Sequence, residues 1–470
     1  MAVEWSGLAP ELFVRLDRSR RGELGTQLQE ELREAIRSGR LSPGERLPST
    51  RAMAAELGIS RGLAQDCYEQ LVAEGYLVAH AGSATRVAEE TRHAPATPRP
   101  PARVPLPAVD FRSGVPDIAG FPMRDWMWAI AEAGRTAPLS APGYGDTAGR
   151  PELRGVVAAY LRRVRGASVD PAHVVICAGF TQGLHLVLQA LARAGHARLG
   201  VEDPGHRDWA AIAERVGLRP VPVPVDEDGA RLRDVDGQVR AAVLTPAHQT
   251  PTGVVLTPAR RREAIAWASE RGGVLVEDDY DAEFRYDRQA VGSLQGLAPD
   301  LVVTIGSVSK SLAPALRLGW VVCPPGLAEA IAHEKELADR GSPALDQLAL
   351  ARLIESGRYD RHLRRMRGVY ARKREALVAA LAEHAPGARL SGLAAGFHAV
   401  VWLPAGADED AVARAAAARG VGVYPLAGYR FGVADHPPQL VLGFGNLTEA
   451  AIARGIAAIG DLLAAPAVMG

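Results

Sequence analysis

Six prolines crowd between Pro95 and Pro107 within EETRHAPATPRPPARVPLPAVD (residues 89–110), and they decide how the rest of this 470-residue chain can fold. A proline lacks a backbone donor and fixes φ, so a run this dense forms neither helix interior nor central strand. It forms an extended, semi-rigid spacer. The chain is therefore expected to fold as two bodies, residues 12–88 and 111–470, the second having a large part at about 140–326 and a small part at about 327–470.

Residues 12–88 read as three helices and a hairpin. In TQLQEELREAIRS (26–38), Leu28, Leu32 and Ile36 share one stripe at helical spacing. LSPGERLPS is a turn in which Ser49 or Thr50 can cap RAMAAELG, Gly58 ends that helix, and Ser60 opens RGLAQDCYEQLVAEG. YLVAHAGSATRVA follows as a Gly-tipped hairpin. Two short helices about a Gly-containing turn, then a β wing, describe a winged helix-turn-helix.

Charge narrows what such a unit can do. Lys+Arg and Asp+Glu both total 54, so the net charge is zero and the chain is not a basic coat for nucleic acid or membranes. Residues 12–88 hold 11 Arg and 10 acids, so DNA affinity has to come from a few placed side chains. Arg51 and Arg61 start the two short helices, where a guanidinium reaches a guanine edge or a phosphate, and Arg86 and His80 flank the wing. The plain alternative is four solvated surface residues. The stretch GERLPSTRAMAAELGISRGLAQDCYEQLVAEGYL nevertheless resembles the GntR-family winged helix almost continuously. The resemblance maps Arg51, Ser60 and Arg61 onto that family's DNA contacts. Gly62, Leu63 and Asp66 depart from its usual polar or basic residues, which puts base preference in question.

Residues 111–470 alternate apolar runs (174–178, 198–201, 242–244, 274–276, 301–305 and 320–323) with helical lengths. That pattern predicts an α/β fold with a mainly parallel sheet covered on both faces, its ligand residues at the carboxyl ends of the strands, and a smaller C-terminal α+β part. Only three lysines occur, against 51 arginines. Lys335 and Lys373 lie in charged helical contexts and read as surface residues, whereas Lys310 follows the buried run LVVTI, where poor solvation favours a neutral, nucleophilic amine. GGVLVEDDYDAEFRY ends a second buried run in Asp278, Asp279 and Tyr280. A carboxylate there can hold a protonated pyridine nitrogen; a helix cap or a Mg²⁺ site are the alternatives, and no His/Cys set accompanies it for a transition metal. Gly179-Phe180-Thr181-Gln182-Gly183 joins a run to a helix, and its N–H groups with the Thr181 hydroxyl suit a phosphate over which Arg317 can close.

Together these motifs resemble the fold-type I pyridoxal-phosphate enzymes of the aminotransferase class. YGDTAGRPELR, VEDPGHRDWA, TPAHQTPTG, VEDDYDAEFRY and GSVSKSLAPALRLG resemble, in order and over nearly the whole chain, the MocR/GabR subfamily of GntR regulators. The resemblance implies pyridoxal 5'-phosphate on Lys310, Asp278 at the ring nitrogen and Tyr280 beside the ring oxygen. It gives Ser307, Ser309, Phe180, Thr181 and Arg317 to the phosphate side, with Tyr144 reaching it from a partner subunit. His206 stands where a ring-stacking Tyr is usual. Thr250 replaces an Asn, so the usual bond to the ring oxygen is lost or rerouted through Gln249. Val441 replaces the carboxylate-binding Arg, leaving Arg430 and Arg207 as candidate effector contacts.

Three functions remain open. In the first, a homodimeric regulator binds a double-stranded DNA operator and responds when an amino effector reacts at Lys310. In the second, pyridoxal phosphate itself is the signal and controls vitamin B6 synthesis. The third is an active aminotransferase. The three cysteines, Cys67, Cys177 and Cys323, have no metal-like spacing, and the N-terminus lacks the order of a signal peptide. The longest uncharged stretch, residues 241–259, carries three prolines, a His and a Gln. These features point to a cytoplasmic protein with no membrane partner and no metal.

Overall fold

The computed structural model describes residues 2–4, 13–20, 22–79, 84–89, 107–281, 283–285, 292–431 and 436–464. The chain separates into two compact units, Met1–Val104 and Pro105–Gly470. His80 and most of the proline-rich stretch lie outside the described residues.

In the first unit, helices Leu24–Arg37, Thr50–Leu57 and Arg61–Ala73 precede the strand pair Leu77–Val78 and Arg86–Val87. Leu28, Leu32, Met53, Leu57, Ala64, Cys67, Leu71 and Val87 form one buried core. The Ser49 side chain accepts from the Ala52 N–H and Ser60 from the Leu63 N–H, so each short helix has a side-chain N-cap. Between them Gly58 turns the chain in a left-handed conformation (φ 59°), where the Arg18 guanidinium caps the carbonyls of Leu57 (2.6 Å) and Gly58 (3.2 Å).

The second unit is built on an eight-stranded sheet. In spatial order its strands are Val174–Cys177, Gly319–Val322, Val302–Ser307, Val274–Asp279, Ala241–Leu244, Arg198–Asp203, Arg219–Asp226 and Gly229–Ala230. Gly319–Val322 runs antiparallel to both neighbours, and the four pairings from Val302–Ser307 to Arg219–Asp226 are parallel. Helices Phe180–Arg193 and Arg207–Arg215 cover one face, and Pro258–Arg271 packs its Ala264, Trp267 and Ala268 on the other. The helix Pro325–Asp339, expected to open the small part, packs Ala328 and Ile331 into the sheet's own core. A four-stranded antiparallel sheet, Arg389–Ser391, His398–Trp402, Gln439–Gly443 and Tyr424–Pro425, forms the C-terminal layer. Val109–Asp110, the end of the expected spacer, pairs with Val421–Gly422 in a separate two-stranded parallel sheet.

Arg219–Asp226 (RPVPVPVD) is a strand that alternating prolines hide from a sequence reading. Residues of one parity turn both backbone groups to the same neighbour. The Arg219 N–H donates to Ala197 on the side of the parallel partner, whereas the Pro224 carbonyl accepts from Arg231 on the outer side. The three prolines therefore direct their missing donors away from the parallel partner and cost no bonds to it.

Two lysines expected on the surface are buried. Lys335 is fully covered and pairs with Asp339 (2.9 Å) one turn on. Lys373 donates to Asp117 (2.8 Å) and to the Gly445 carbonyl (2.7 Å). Each long stem crosses apolar packing and ends on a partner, which a charge-rich helix sequence does not reveal.

Candidate functional site

The strand ends converge on a cavity of about 240 Å³. Lys310 follows the strand Val302–Ser307, Asp278 and Tyr280 come from the end of Val274–Asp279, Thr250 from the loop after Ala241–Leu244, and His206 from the loop after Arg198–Asp203. Phe180, Thr181, Ser307, Ser309 and Arg317 line it as well. The parallel sheet brings them together because every crossover helix returns the chain to the same sheet edge.

The Lys310 ammonium donates to the Gly114 carbonyl, and burial pulls its pKa down against the opposing pull of the Asp278 and Asp281 carboxylates. Asp278 is buried, and one of its carboxyl oxygens has no hydrogen-bond partner. Burial raises its pKa well above the usual carboxylate range, with Asp279 and Asp281 adding to the rise and Lys310 opposing it. An unsatisfied buried acceptor facing a cavity is costly unless a donor arrives with a ligand.

The Thr250 hydroxyl donates to the Tyr280 phenol (2.7 Å), which donates to the His248 carbonyl (2.9 Å). Gln249 does not stand in for the absent Asn. Its amide donates to the Pro204 and Thr250 carbonyls (both 2.8 Å), and its oxygen accepts from the Thr252 N–H and hydroxyl, so the side chain is committed away from the cavity. Behind Tyr280, His248 is held by Asp281 (2.7 Å) and lies 4.7 Å from the His398 ring, whose pKa is pushed down to about 3 by burial and by His248.

Helix Phe180–Arg193 opens on Gly179 (φ 87°) with no side chain capping its first N–H groups. Exposed Arg317 donates to the Ala178 carbonyl beside that opening. Backbone donors, the Thr181 hydroxyl and a guanidinium thus stand at one end of the cavity, a constellation suited to a phosphate. His206 lies flat against Trp209 (13° between planes, centroids 5.9 Å apart), and burial lowers its pKa, with Asp208 opposing and Lys310 reinforcing.

Other residues fall elsewhere. Tyr144 is exposed and outside this cavity. Arg207 is exposed, Arg430 is half-buried near Asp203 and Glu409, and neither borders the cavity. Val441 is fully buried against Val400 and Leu426. Sequence reasoning passed over Trp209, Ser113, Gly114, Phe397, His398 and Tyr429, which also line the site. Of these only Trp209 stood within a quoted motif; the others come from segments far away in sequence.

In the first unit Arg51 and Arg61 are exposed at the openings of their helices, and Arg86 donates to the Gly44 carbonyl (2.8 Å). Exposed Arg46, also missed, bridges to Arg86 through the backbone. Leu63 packs towards Gly25 of the first helix, which explains its departure from the polar residues usual there.

Residues 107–459 match the model of aminotransferase class I and II, and residues 24–87 that of the bacterial regulatory proteins of the gntR family. The chain is 33% identical to the HTH-type pyridoxine biosynthesis transcriptional regulator PdxR of Corynebacterium glutamicum, over 93% of this chain and 95% of that protein. It is 31% identical to the probable rhizopine catabolism regulatory protein MocR of Rhizobium meliloti, covering 94% of each. The chain belongs to the MocR-type HTH transcriptional regulators. Another such regulator, TauR of Rhodobacter capsulatus, is 32% identical over 94% of this chain and 97% of that one. The aminotransferase-like part of this MocR-type regulator is similar to an archaeal alanine:glyoxylate aminotransferase (TM-score 0.70, 25% identity, 77% of this chain and 91% of that one). Among the described residues no helix is long and apolar enough to cross a membrane.

Proposed function

We propose that this regulator binds pyridoxal 5'-phosphate on Lys310 and changes its operator binding when an amino effector reacts there. The observation that carries the reading is the pairing, in one cavity, of a desolvated lysine with a buried carboxyl oxygen that lacks a partner. Asp278 would hold the ring nitrogen, His206 would stack on the ring, and Tyr280 with Thr250 would border the ring oxygen. Ser307, Ser309, Phe180, Thr181 and Arg317 would hold the phosphate, with Tyr144 contributed across a homodimer. Bound there, the cofactor supplies an aldehyde that amines attack.

The Gly114 contact supplies a route for the response. The amine that donates to Gly114 is the one the cofactor would take up, and Gly114 lies a few residues beyond the spacer that leads to the winged helix. The flanking segment is fastened by the pairing of Val109–Asp110 with Val421–Gly422 and by Lys373 of helix Arg358–His384 on Asp117. A change at Lys310 is therefore felt where the two units are joined in sequence.

A second reading makes pyridoxal phosphate itself the signal. Arg207 and Arg430 stand off the cavity and Val441 is buried among apolar side chains, which favours a ligand needing no further cation; the likeness to PdxR points the same way. Titration with pyridoxal phosphate tests the common core. The wild type should gain a visible absorption band that Lys310→Ala lacks, and equal spectra would refute the assignment. Operator binding measured with the cofactor alone, then with added amines, separates the two readings.

A further inference from the structure

The recognition helix Arg61–Ala73 buries Ala64, Cys67, Tyr68 and Leu71 and exposes Arg61, Gly62, Gln65, Asp66 and Glu69. Those exposed positions follow the helical repeat and form one stripe, and Arg61, Gly62, Gln65 and Asp66 lie in the N-terminal half, the part of such a helix that meets base edges. Gln65 donates to Glu69 (2.9 Å), so each of those two already has a partner. The Asp66 side chain has no hydrogen bond or ion pair among the described residues. Leu63 packs, partly buried, against the domain core, and among the described residues Arg61 and Asp66 are the charged groups of the stripe whose side chains have no partner.

We propose that Asp66 sets operator specificity by reading a cytosine in each half-site. A carboxylate carried between phosphate backbones is repelled unless it finds a hydrogen-bond donor. In the major groove the cytosine N4 amino group is such a donor, and no acceptor stands beside it on the same base. Adenine sets its N6 donor next to the N7 acceptor, which repels a second carboxylate oxygen. Asp66 thus raises the energy of sequences lacking a correctly placed cytosine, and specificity arises from what it penalises as much as from the bond it makes.

The test is selection of duplexes from a randomised library by full-length wild type, Asp66→Asn and Asp66→Ala. Asp66 is exposed, and unchanged melting curves would verify that the variants fold. Wild type should enrich one cytosine per half-site by about tenfold over other bases. Asp66→Asn should replace it with adenine, because an amide pairs with N6 and N7 together. Asp66→Ala should show no preference at that position. The same consensus from all three proteins overturns the proposal. So does an Asp66→Ala affinity gain equal for every sequence, which would make Asp66 only a repelling charge. The inference rests on the regulator binding DNA: no enrichment by wild type counts against both, whereas enrichment independent of Asp66 counts against this proposal alone.

Discussion

Glu202 is 1% exposed and accepts from the Thr245 N–H (3.2 Å), the Thr245 hydroxyl (2.5 Å) and the Gln249 amide (3.1 Å). Burial outweighs these donors and pushes its pKa up to about 7 from 4.5. A raised carboxyl pKa means that the folded state prefers the proton, so its stabilisation is complete below pH 4.5 and lost as pH rises through about 7. Wild type should therefore lose stability relative to Glu202→Gln between pH 5 and pH 8, by roughly 3 kcal/mol if the whole shift is expressed. Urea melts of both proteins at several pH values check this, and a difference that does not vary with pH would sink it. At this scale the sequence was most legible where a residue type was scarce. Lys310 stood out among three lysines, whereas Glu202 is one of 54 acids and only its burial marks it.

Between elements, glycine sets how closely helices pass. Helices Arg358–His384 and Glu449–Leu463 pack so tightly that a Cβ at Gly460 would lie 2.1 Å from the His384 carbonyl oxygen. Backbone cannot yield as a side-chain tip does, so Gly460→Ala should cost about 1–3 kcal/mol and lower the melting temperature in calorimetry. An unchanged melting temperature would show that the crossing is looser. Most elements were readable from apolar spacing and caps: Ser49 and Ser60 begin the helices assigned to them. The proline-rich strand Arg219–Asp226 was not, because only the sheet shows that its prolines face the outer edge.

For the whole molecule, zero net charge and a winged helix with few placed cations predict a moderate salt dependence. With Arg46, Arg51, Arg61 and Arg86 all on phosphates, log K against log salt should fall with a slope of roughly −3 to −4 per winged helix, and less steeply for each arginine that reads a base instead. Fluorescence anisotropy of an operator duplex over a KCl series measures it. A slope near −10 per winged helix would mean that a broader basic surface is at work. The division into two units was plain from the proline run, because proline acts locally on the backbone.

Local chemistry is what the chain alone determined: helix starts, the two-body plan, a parallel sheet, and a lysine and a carboxylate each placed after a buried strand. Tertiary structure decided which of those groups meet and which are already occupied. It put Gly114 against Lys310, committed Gln249 away from the cavity, buried Lys335 and Lys373, and left an Asp278 oxygen without a partner. Strand propensity and capping act over a few residues and are written in adjacent letters. Desolvation and hydrogen-bond satisfaction depend on neighbours hundreds of residues away, and exist only once the sheet is assembled.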